Sequence, residues 1–211
     1  MEQTKGSLTV VSGFSGAGKG TIMKALLKKY ESYCLSVSCT TRKPRPHEVD
    51  GKDYFFISQD EFDARIERGE FLEYARYVDH SYGTPLPWVE EKVKEGRDVL
   101  LEIEAQGAAI VKKKRPDTIM LFVVTPDAKT LVQRLTGRGT ETKEVIAERL
   151  EQATREIDRI SSYDMLIVND DLDAALERVH NAIQTLKYSP IRQADFLSDF
   201  RKDLIQEREK L

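Results

Sequence analysis

Apolar residues follow two different periods along the chain, and the switch between them predicts the main structural elements. Short uninterrupted apolar runs, as at residues 8–12 and 119–124, are typical of parallel strands buried on both faces. Between such runs, apolar residues recur at helical spacing; in residues 143–160, for example, Ile146 and Leu150 begin one apolar stripe. Strands that alternate with amphipathic helices predict an α/β fold with helices on both faces of a parallel core sheet.

The same pattern predicts bounds for each element. Strands are expected at residues 8–12, 34–38, 54–57, 70–78, 99–103, 119–124 and 165–168. Helices are expected at residues 21–30, 59–68, 85–95, 105–114, 127–136, 143–160 and 172–187. Beyond them, Leu197, Phe200 and Leu204 keep a helical period in a highly charged segment, which predicts a C-terminal helix that packs weakly or meets a partner.

Residues 34–84 differ from the rest because short strands and a proline-rich loop dominate them. The stretch lies between the first helix and the next core strand, a place suited to a flap that closes over a substrate. We therefore divide the chain into a core of residues 1–33 and 85–187, an insertion of residues 34–84 and a C-terminal helical tail of residues 188–211.

Composition excludes several classes of protein. With a net charge of -3 over 211 residues, the chain has no overall field that would attract nucleic acid or an anionic membrane. The polar N-terminus lacks the apolar core of a secretory signal, and no apolar run approaches the roughly 20 residues that cross a bilayer. Cys34 and Cys39 fit neither a disulfide framework nor a zinc site. We expect a soluble cytoplasmic protein with free thiols, and a monomer and a homo-oligomer are both open.

A glycine-rich turn follows the first apolar run directly. It reads Gly13-Phe14-Ser15-Gly16-Ala17-Gly18-Lys19-Gly20-Thr21. Glycines let backbone N–H groups wrap an anion, the next helix adds the positive end of its dipole, and Lys19 adds a mobile charge. A turn without a ligand is the disfavoured alternative, because the strand, the helix and the lysine are all in place. The turn predicts a phosphate-binding loop for a nucleoside triphosphate.

A second basic site is expected in the loop that follows the strand at residues 34–38. Pro44 and Pro46 restrict the backbone of this loop and so hold Arg42 and Arg45. Planar guanidinium groups bind phosphate oxygens bidentately, and a merely solvated basic loop would not require such rigidity. The loop therefore predicts a site for the phosphate that accepts the transferred group.

Seven ordered motifs accompany the glycine-rich turn. They are Ser38-Cys-Thr-Thr-Arg-Lys-Pro-Arg45, Gly51-Lys-Asp-Tyr54-Phe, Phe71-Leu-Glu73, Tyr82-Gly-Thr84, Glu102-Ile-Glu-Ala-Gln-Gly107, Gly137-Arg-Gly139 and Ile167-Val-Asn-Asp170. Together they closely resemble the guanylate kinase family over residues 8–187. The resemblance implies a three-layer P-loop kinase fold with a parallel core sheet, a GMP-binding insertion and a mobile lid at about residues 137–149. It also implies transfer of the γ-phosphoryl group of ATP to GMP.

The resemblance assigns residues to the acceptor. It places the GMP phosphate on Arg42, Arg45, Tyr54 and Tyr82, and the base on Ser38, Glu73, Thr84 and Glu104. A carboxylate suits guanine because it accepts hydrogen bonds from N1–H and the exocyclic amine, whereas adenine presents a bare acceptor at N1. A buried carboxylate at this position is therefore expected to reject adenine.

The resemblance also assigns the donor side. ATP is expected on the residues of the glycine-rich turn, with Arg134 and Asn169, and the catalytic residues are Lys19, Arg42, Arg138 and Arg149. Arginines that arrive on closure stabilise charge on the γ-phosphoryl oxygens, and no general base is needed because the acceptor is already anionic. Mg²⁺ is the implied cofactor, held through nucleotide and water near Glu102, because Gly20 lacks the usual hydroxyl ligand.

Two other functions stay open at this point. One is a non-catalytic guanylate-kinase-like module that binds phosphorylated peptides, which the retained Gly18 and Lys19 disfavour. The other is a kinase for a different nucleoside monophosphate. One departure from the family pattern is His47, at a turn position where the family often has glycine, and the sequence indicates no role for it beyond a surface turn.

Overall fold

The computed structural model describes residues 5–77, 79–137 and 142–211 and shows strands and helices in alternation. The strands are β1 (Leu8–Gly13), β2 (Tyr33–Leu35), β3 (Cys39–Thr40), β4 (Phe55–Phe56), β5 (Phe71–Tyr77), β6 (His80–Pro85), β7 (Asp98–Glu102), β8 (Ile119–Val124) and β9 (Met165–Val168). The helices are α1 (Lys19–Lys29), α2 (Gln59–Glu67), α3 (Leu86–Lys94), α4 (Ala105–Lys114), α5 (Ala128–Thr136), α6 (Lys143–Ile157), α7 (Leu172–Leu186) and α8 (Ala194–Glu209).

The core is a parallel sheet in the order β2-β7-β1-β8-β9. Successive residues of a strand face opposite sides of a sheet, so Val10 packs with α3 and α4, whereas Val11 packs with α1 and α7. Both faces are thus covered by helices, as the uninterrupted apolar runs predict. The three-layer α/β fold is confirmed. Parallel strands also bring their carboxyl ends to one edge, which is where the glycine-rich turn leaves β1.

A second sheet, in the order β4-β3-β6-β5, lies within the region of the predicted insertion. It has its own small core, in which Phe62 of α2 stacks on Phe71 of β5 with ring centroids 4.5 Å apart. Strand β2 does not belong to it, because β2 pairs with β7 of the core sheet. Cys34 and Cys39 are both free, as expected. The division of the chain into core, insertion and tail stays a prediction.

Most predicted elements are confirmed, and the differences arise at turns. The bounds of α4, β8 and β9 match the predictions, and Ser58 caps α2 by accepting a hydrogen bond from the Glu61 N–H at 3.1 Å. Helix α1 begins at Lys19 rather than near residue 21, because Gly18 takes a φ of 94° and ends the turn earlier. The helix predicted over residues 143–160 ends at Ile157, and a short 3-10 turn follows it.

One strand prediction is wrong, and one strand was not predicted. Residues 34–38 do not form one strand: the chain leaves the core sheet after β2 and enters the second sheet at β3. Strand β6 was not predicted, because Gly83 interrupts its pattern of side chains. Its pairing with β3 and β5 is what makes it a strand, and those contacts join residues far apart in the sequence.

The C-terminal helix α8 is confirmed and packs weakly. Its Phe196 and Phe200 rings stack on each other at 5.9 Å, and their residues are 62% and 51% exposed. Within the described ranges, no helix combines the length and the apolar character that crossing a membrane requires.

Candidate functional site

The glycine-rich turn joins the end of β1 to the start of α1 at the carboxyl edge of the core sheet. Gly16 and Gly18 have φ values of 90° and 94°, a left-handed conformation that side chains disfavour. Gly13 allows a close approach of strands, since a Cβ there would lie 2.2 Å from the Val123 carbonyl oxygen. The loop therefore needs glycine at these positions for geometric reasons. A glycine-rich turn that leads into the N-terminus of a helix is an arrangement suited to binding an anion.

Lys19 folds back over this loop. Its Nζ donates to the carbonyl oxygens of Gly13 at 2.7 Å and Phe14 at 3.3 Å. Beside it, the Ser12 hydroxyl donates to the Ile103 carbonyl at 2.8 Å, which ties the end of β1 to the segment after β7. Backbone oxygens thus hold the Lys19 ammonium group at the loop. Lys19 and residues of the loop border the same open space.

Two residues predicted to bind ATP converge on one carbonyl of the loop. Asn169 Nδ2 donates to the Ala17 oxygen at 2.7 Å, and Arg134 Nη1 donates to the same oxygen at 3.2 Å. Arg134 Nη2 also donates to the Asn169 carbonyl at 2.9 Å. In this structure both side chains therefore shape the loop. Asp170 is engaged elsewhere, because Arg178 pairs with it and lowers the pKa of its carboxyl to about 2.

A cleft of about 690 Å³ lies beside the loop, and its lining includes both Lys19 and Glu104. Helix α6 contributes Arg149, whose Nη1 donates to the Ser15 hydroxyl of the loop. Arg138, predicted to be catalytic, lies outside the described residues, so the lid is described only in part. Helix α6 also places on this cleft Arg155, which lies off the apolar stripe like Arg149. Four further polar residues of α6 line the cleft and were not predicted, although their positions off the stripe were a signal: Glu148, Glu151, Gln152 and Glu156.

A smaller cavity of about 370 Å³ adjoins the loop and is lined by Thr21, Lys24 and Glu102 among others. A Cβ built on Gly20 would lie 3.7 Å from Glu102 Oε2, so this carboxylate reaches the start of α1. No cluster of three or more His, Cys, Asp and Glu side chains suited to a metal occurs in the described part of the chain. One carboxylate beside a phosphate loop fits a cation such as Mg²⁺, which keeps several waters and binds chiefly through substrate phosphates.

The predicted acceptor-phosphate residues meet around Arg42, at the edge of the second sheet. The carbon of its guanidinium lies 5.4 Å from the centre of the Tyr54 ring, and the Tyr54 and Tyr82 rings are 6.1 Å apart. Arg42 forms a bidentate ion pair with Glu48, at 3.0 and 2.8 Å. Glu48 was not predicted from the sequence, where the signal was an acidic residue six positions after Arg42 in a proline turn.

This ion pair shifts the pKa of both of its side chains. The Glu48 carboxylate raises the pKa of Arg42, and the Arg42 guanidinium lowers the pKa of Glu48. Arg45 behaves differently from Arg42: its residue is exposed, and its backbone N–H donates to Glu48 Oε2 at 2.7 Å. The structure therefore gathers Arg42, Tyr54 and Tyr82, and brings the backbone of Arg45 to the same carboxylate.

The predicted base-binding residues form a second group. The buried Thr84 hydroxyl donates to Glu73 Oε1 at 2.6 Å, and a Cβ on Gly107 of α4 would lie 3.5 Å from Glu73 Oε2. Burial raises the pKa of Glu73, while the hydrogen bonds from Thr84 act in the opposite direction. Glu104 is exposed and stands at the N-terminus of α4.

Ser38, the remaining predicted base contact, is half-buried. Its carbonyl oxygen accepts a hydrogen bond from the Phe55 N–H at 2.9 Å, directly before β3. The backbone thus holds Ser38 at the start of the second sheet, whose strands also carry Glu73 and Thr84.

Comparison with known proteins relates the chain to one family. The family model described as guanylate kinase matches residues 5–186. A guanylate kinase of Lactococcus lactis is 50% identical over 184 residues, which cover 87% of this chain and 90% of the relative. A guanylate kinase of Clostridioides difficile is 47% identical over 201 residues, 95% of this chain and 98% of the relative. The crystal structure of guanylate kinase from Anaplasma phagocytophilum matches with a TM-score of 0.66 at 30% identity, covering 90% of each chain.

Proposed function

This chain belongs to the guanylate kinase family, and from that membership we infer that its two phosphate sites serve one reaction between ATP and GMP. The activity is that of an ATP:GMP phosphotransferase, which forms ADP and GDP. The observation that carries the assignment of the site is the single cleft whose lining includes both Lys19 and Glu104. A donor phosphate at the loop and an acceptor near α4 would share that space.

We assign catalysis to alignment of the two substrates and neutralisation of charge. Lys19 at the loop and Arg149 on α6 approach the transferring group from the donor side, and Arg42 approaches from the acceptor side. Cationic groups placed where charge develops stabilise the in-line transition state. An anionic phosphate oxygen is already a nucleophile, so no residue is assigned as a general base. Arg138 belongs to the same proposed set.

Base recognition is assigned to the pair of Glu73 and Thr84. The hydrogen bond from Thr84 orients the Glu73 carboxylate and leaves acceptor capacity for N1–H and the exocyclic amine of guanine. Adenine presents an unprotonated N1, which cannot donate to this partly buried carboxylate. Ser38 and Glu104 are assigned to the same pocket.

Guanylate kinases use ATP with a divalent metal ion, and for this chain we propose Mg²⁺. Glu102 and Thr21, which line the small cavity beside the loop, are the residues that would hold the hydrated ion. When bound, the ion neutralises charge on the β- and γ-phosphate oxygens. The insertion of residues 34–84 would carry GMP, residues 137–149 would close over ATP, and the enzyme would work in the cytoplasm on these small molecules.

A coupled assay of the purified protein tests the proposal. With Mg²⁺ and ATP, GMP is expected to give ADP at a rate far above that with AMP, CMP or UMP. A preference for one of those three nucleotides would overturn the base assignment and leave the fold intact. Failure to bind ATP in a titration would instead indicate the phosphopeptide-binding module.

A further inference from the structure

We propose that Glu48 is a positioning residue for the acceptor phosphate. Its carboxylate holds one edge of the Arg42 guanidinium, so that the other edge is presented to the phosphate of the nucleoside monophosphate. The inference rests on the proposed function, because it assumes that Arg42 binds the accepting phosphate. Glu48 is not among the residues that the sequence assigned to the phosphate or to the base.

The hydrogen bonds of Arg42 leave one edge of its guanidinium unused by Glu48. Nη1 donates to Glu48 Oε2 at 3.0 Å and Nη2 donates to Oε1 at 2.8 Å, the parallel pair typical of an arginine and a carboxylate. Nη1 also donates to the Lys43 carbonyl at 2.8 Å. None of these three bonds uses Nε, and the side chain of Tyr82, itself predicted to hold the phosphate, also interacts with the Arg42 guanidinium. The edge made by Nε–H and the second Nη2 hydrogen is therefore the one that a phosphate would meet bidentately.

Two aromatic rings also lie close to the Arg42 guanidinium and restrict its orientation. Its guanidinium carbon lies 5.4 Å from the centre of the Tyr54 ring and 5.8 Å from that of Phe56. Only 13% of the Arg42 side chain is exposed, compared with 19% for Glu48. A guanidinium held by two rings and a carboxylate has its orientation set before a ligand arrives, which reduces the ordering cost of binding.

A tight turn places the Glu48 carboxylate. The Glu48 N–H donates to the Arg45 carbonyl at 3.1 Å, with Pro46 and His47 as the central residues. Proline at the first central position and a positive φ at the second are the requirements of a type II turn, and His47 has a φ of 76°. The same carboxylate accepts from the Arg45 N–H at 2.7 Å. This turn gives His47 a structural role and fixes Glu48 relative to both arginines.

A carboxylate beside an anion site also repels the anion. The experiment therefore has to show whether Glu48 strengthens or weakens the binding of GMP. If Glu48 competed with the phosphate for Arg42, removing its charge would lower KM for GMP. We expect the opposite, because Glu48 and the phosphate use different edges of the guanidinium and Arg45 supplies further positive charge. In Glu48→Gln the amide keeps the shape but replaces an acceptor by an NH₂ group that cannot accept from Arg42.

The experiment compares Glu48→Gln with the wild type in steady-state kinetics and in a titration with GMP in the absence of ATP. KM and Kd for GMP are expected to rise about tenfold, as for loss of a charge-assisted contact, while KM for ATP stays within about twofold. Glu61→Gln is the matched control, since Glu61 also accepts from arginine, at 2.7 Å from Arg65 Nε on α2. It should change neither constant.

The possible outcomes distinguish failure of the proposed function from failure of the role proposed for Glu48. A wild type that does not phosphorylate GMP contradicts the proposed function. An active wild type with an unchanged or lower KM for GMP in Glu48→Gln overturns the positioning role alone. Equal losses for GMP and ATP would also overturn it, because a general disturbance of the fold raises both constants.

Discussion

At the scale of single residues, the protonation of Glu73 is expected to control how the proposed base pocket receives guanine. In the proposed pocket, the ionised carboxylate offers two acceptor oxygens to guanine, whereas protonation turns one of them into a donor that would face the N1–H and amine donors of the base. Burial raises the pKa of Glu73 above the ordinary value of 4.5, with the Thr84 hydrogen bonds opposing part of the effect. The fraction of binding-competent enzyme therefore falls as the pH drops through that raised pKa.

We predict that KM for GMP rises as the pH is lowered, with an inflection above 4.5 that belongs to Glu73. KM for ATP, measured over the same range, should not share this inflection. Glu73→Gln should raise KM for GMP by about tenfold or more and remove the inflection, because an amide does not titrate. A Glu73→Gln variant that keeps the wild-type pH profile would take Glu73 out of the base pocket.

At the scale of elements, the passage from β1 through the loop to α1 depends on how closely the backbone approaches its neighbours. Gly13 touches β8, where a Cβ would lie 2.2 Å from the Val123 carbonyl oxygen. Gly20, in the first turn of α1, has room, because its Cβ would lie 3.7 Å from Glu102 Oε2 in ordinary contact. The two glycines are seven residues apart, yet only the first is required by packing.

Gly13→Ala is expected to lower the free energy of unfolding by about 3 kcal/mol, because β1 and β8 must separate to admit the methyl group. Gly20→Ala should instead raise it by about 0.5 kcal/mol, since alanine favours a helix over glycine. Urea unfolding of both variants measures the difference. Similar effects at the two positions would show that the close contact with Val123 does not govern the loop.

At the scale of the whole molecule, strand β7 carries a carboxylate at each end with a different task. Glu102 lies at the carboxyl end beside the phosphate loop. Asp98 lies at the opposite end, buried, where it accepts from the Ser7 N–H at 3.0 Å, the Ser7 hydroxyl at 2.8 Å and Lys187 Nζ at 2.6 Å. Asp98 thus joins the start of β1 and the end of α7 to the sheet, far along the strand from the chemistry.

We predict that Asp98→Asn lowers the free energy of unfolding by about 3 kcal/mol, because it leaves the Lys187 ammonium without its buried counter-charge. The kcat with GMP should stay near that of the wild type at a temperature where the variant is folded. Asp195→Asn is the control: its ion pair with Lys5 is exposed, so its loss should not be measurable. A large loss of kcat in Asp98→Asn, with stability unchanged, would contradict this separation of roles.

The sequence by itself determined the alternation of strands and helices in the core, the three-layer architecture and the position of the glycine-rich turn. These features depend on local patterns: the periods of apolar residues, the caps such as Ser58 and the glycines that a turn requires. The family motifs added the candidate residues of both substrates. Their roles stay predictions, and Arg138 lies outside the described residues.

The tertiary structure decided which side chains meet, because those contacts join residues that local patterns do not relate. Strand β6 exists through its pairing with β3 and β5, and β2 joins the core sheet through β7. Arg134 and Asn169 converge on Ala17, over more than a hundred residues of sequence. Hydrogen-bond geometry depends on tenths of an ångström, which no pattern of residue types specifies. Folding alone therefore determined that Glu48 pairs with the Arg42 guanidinium.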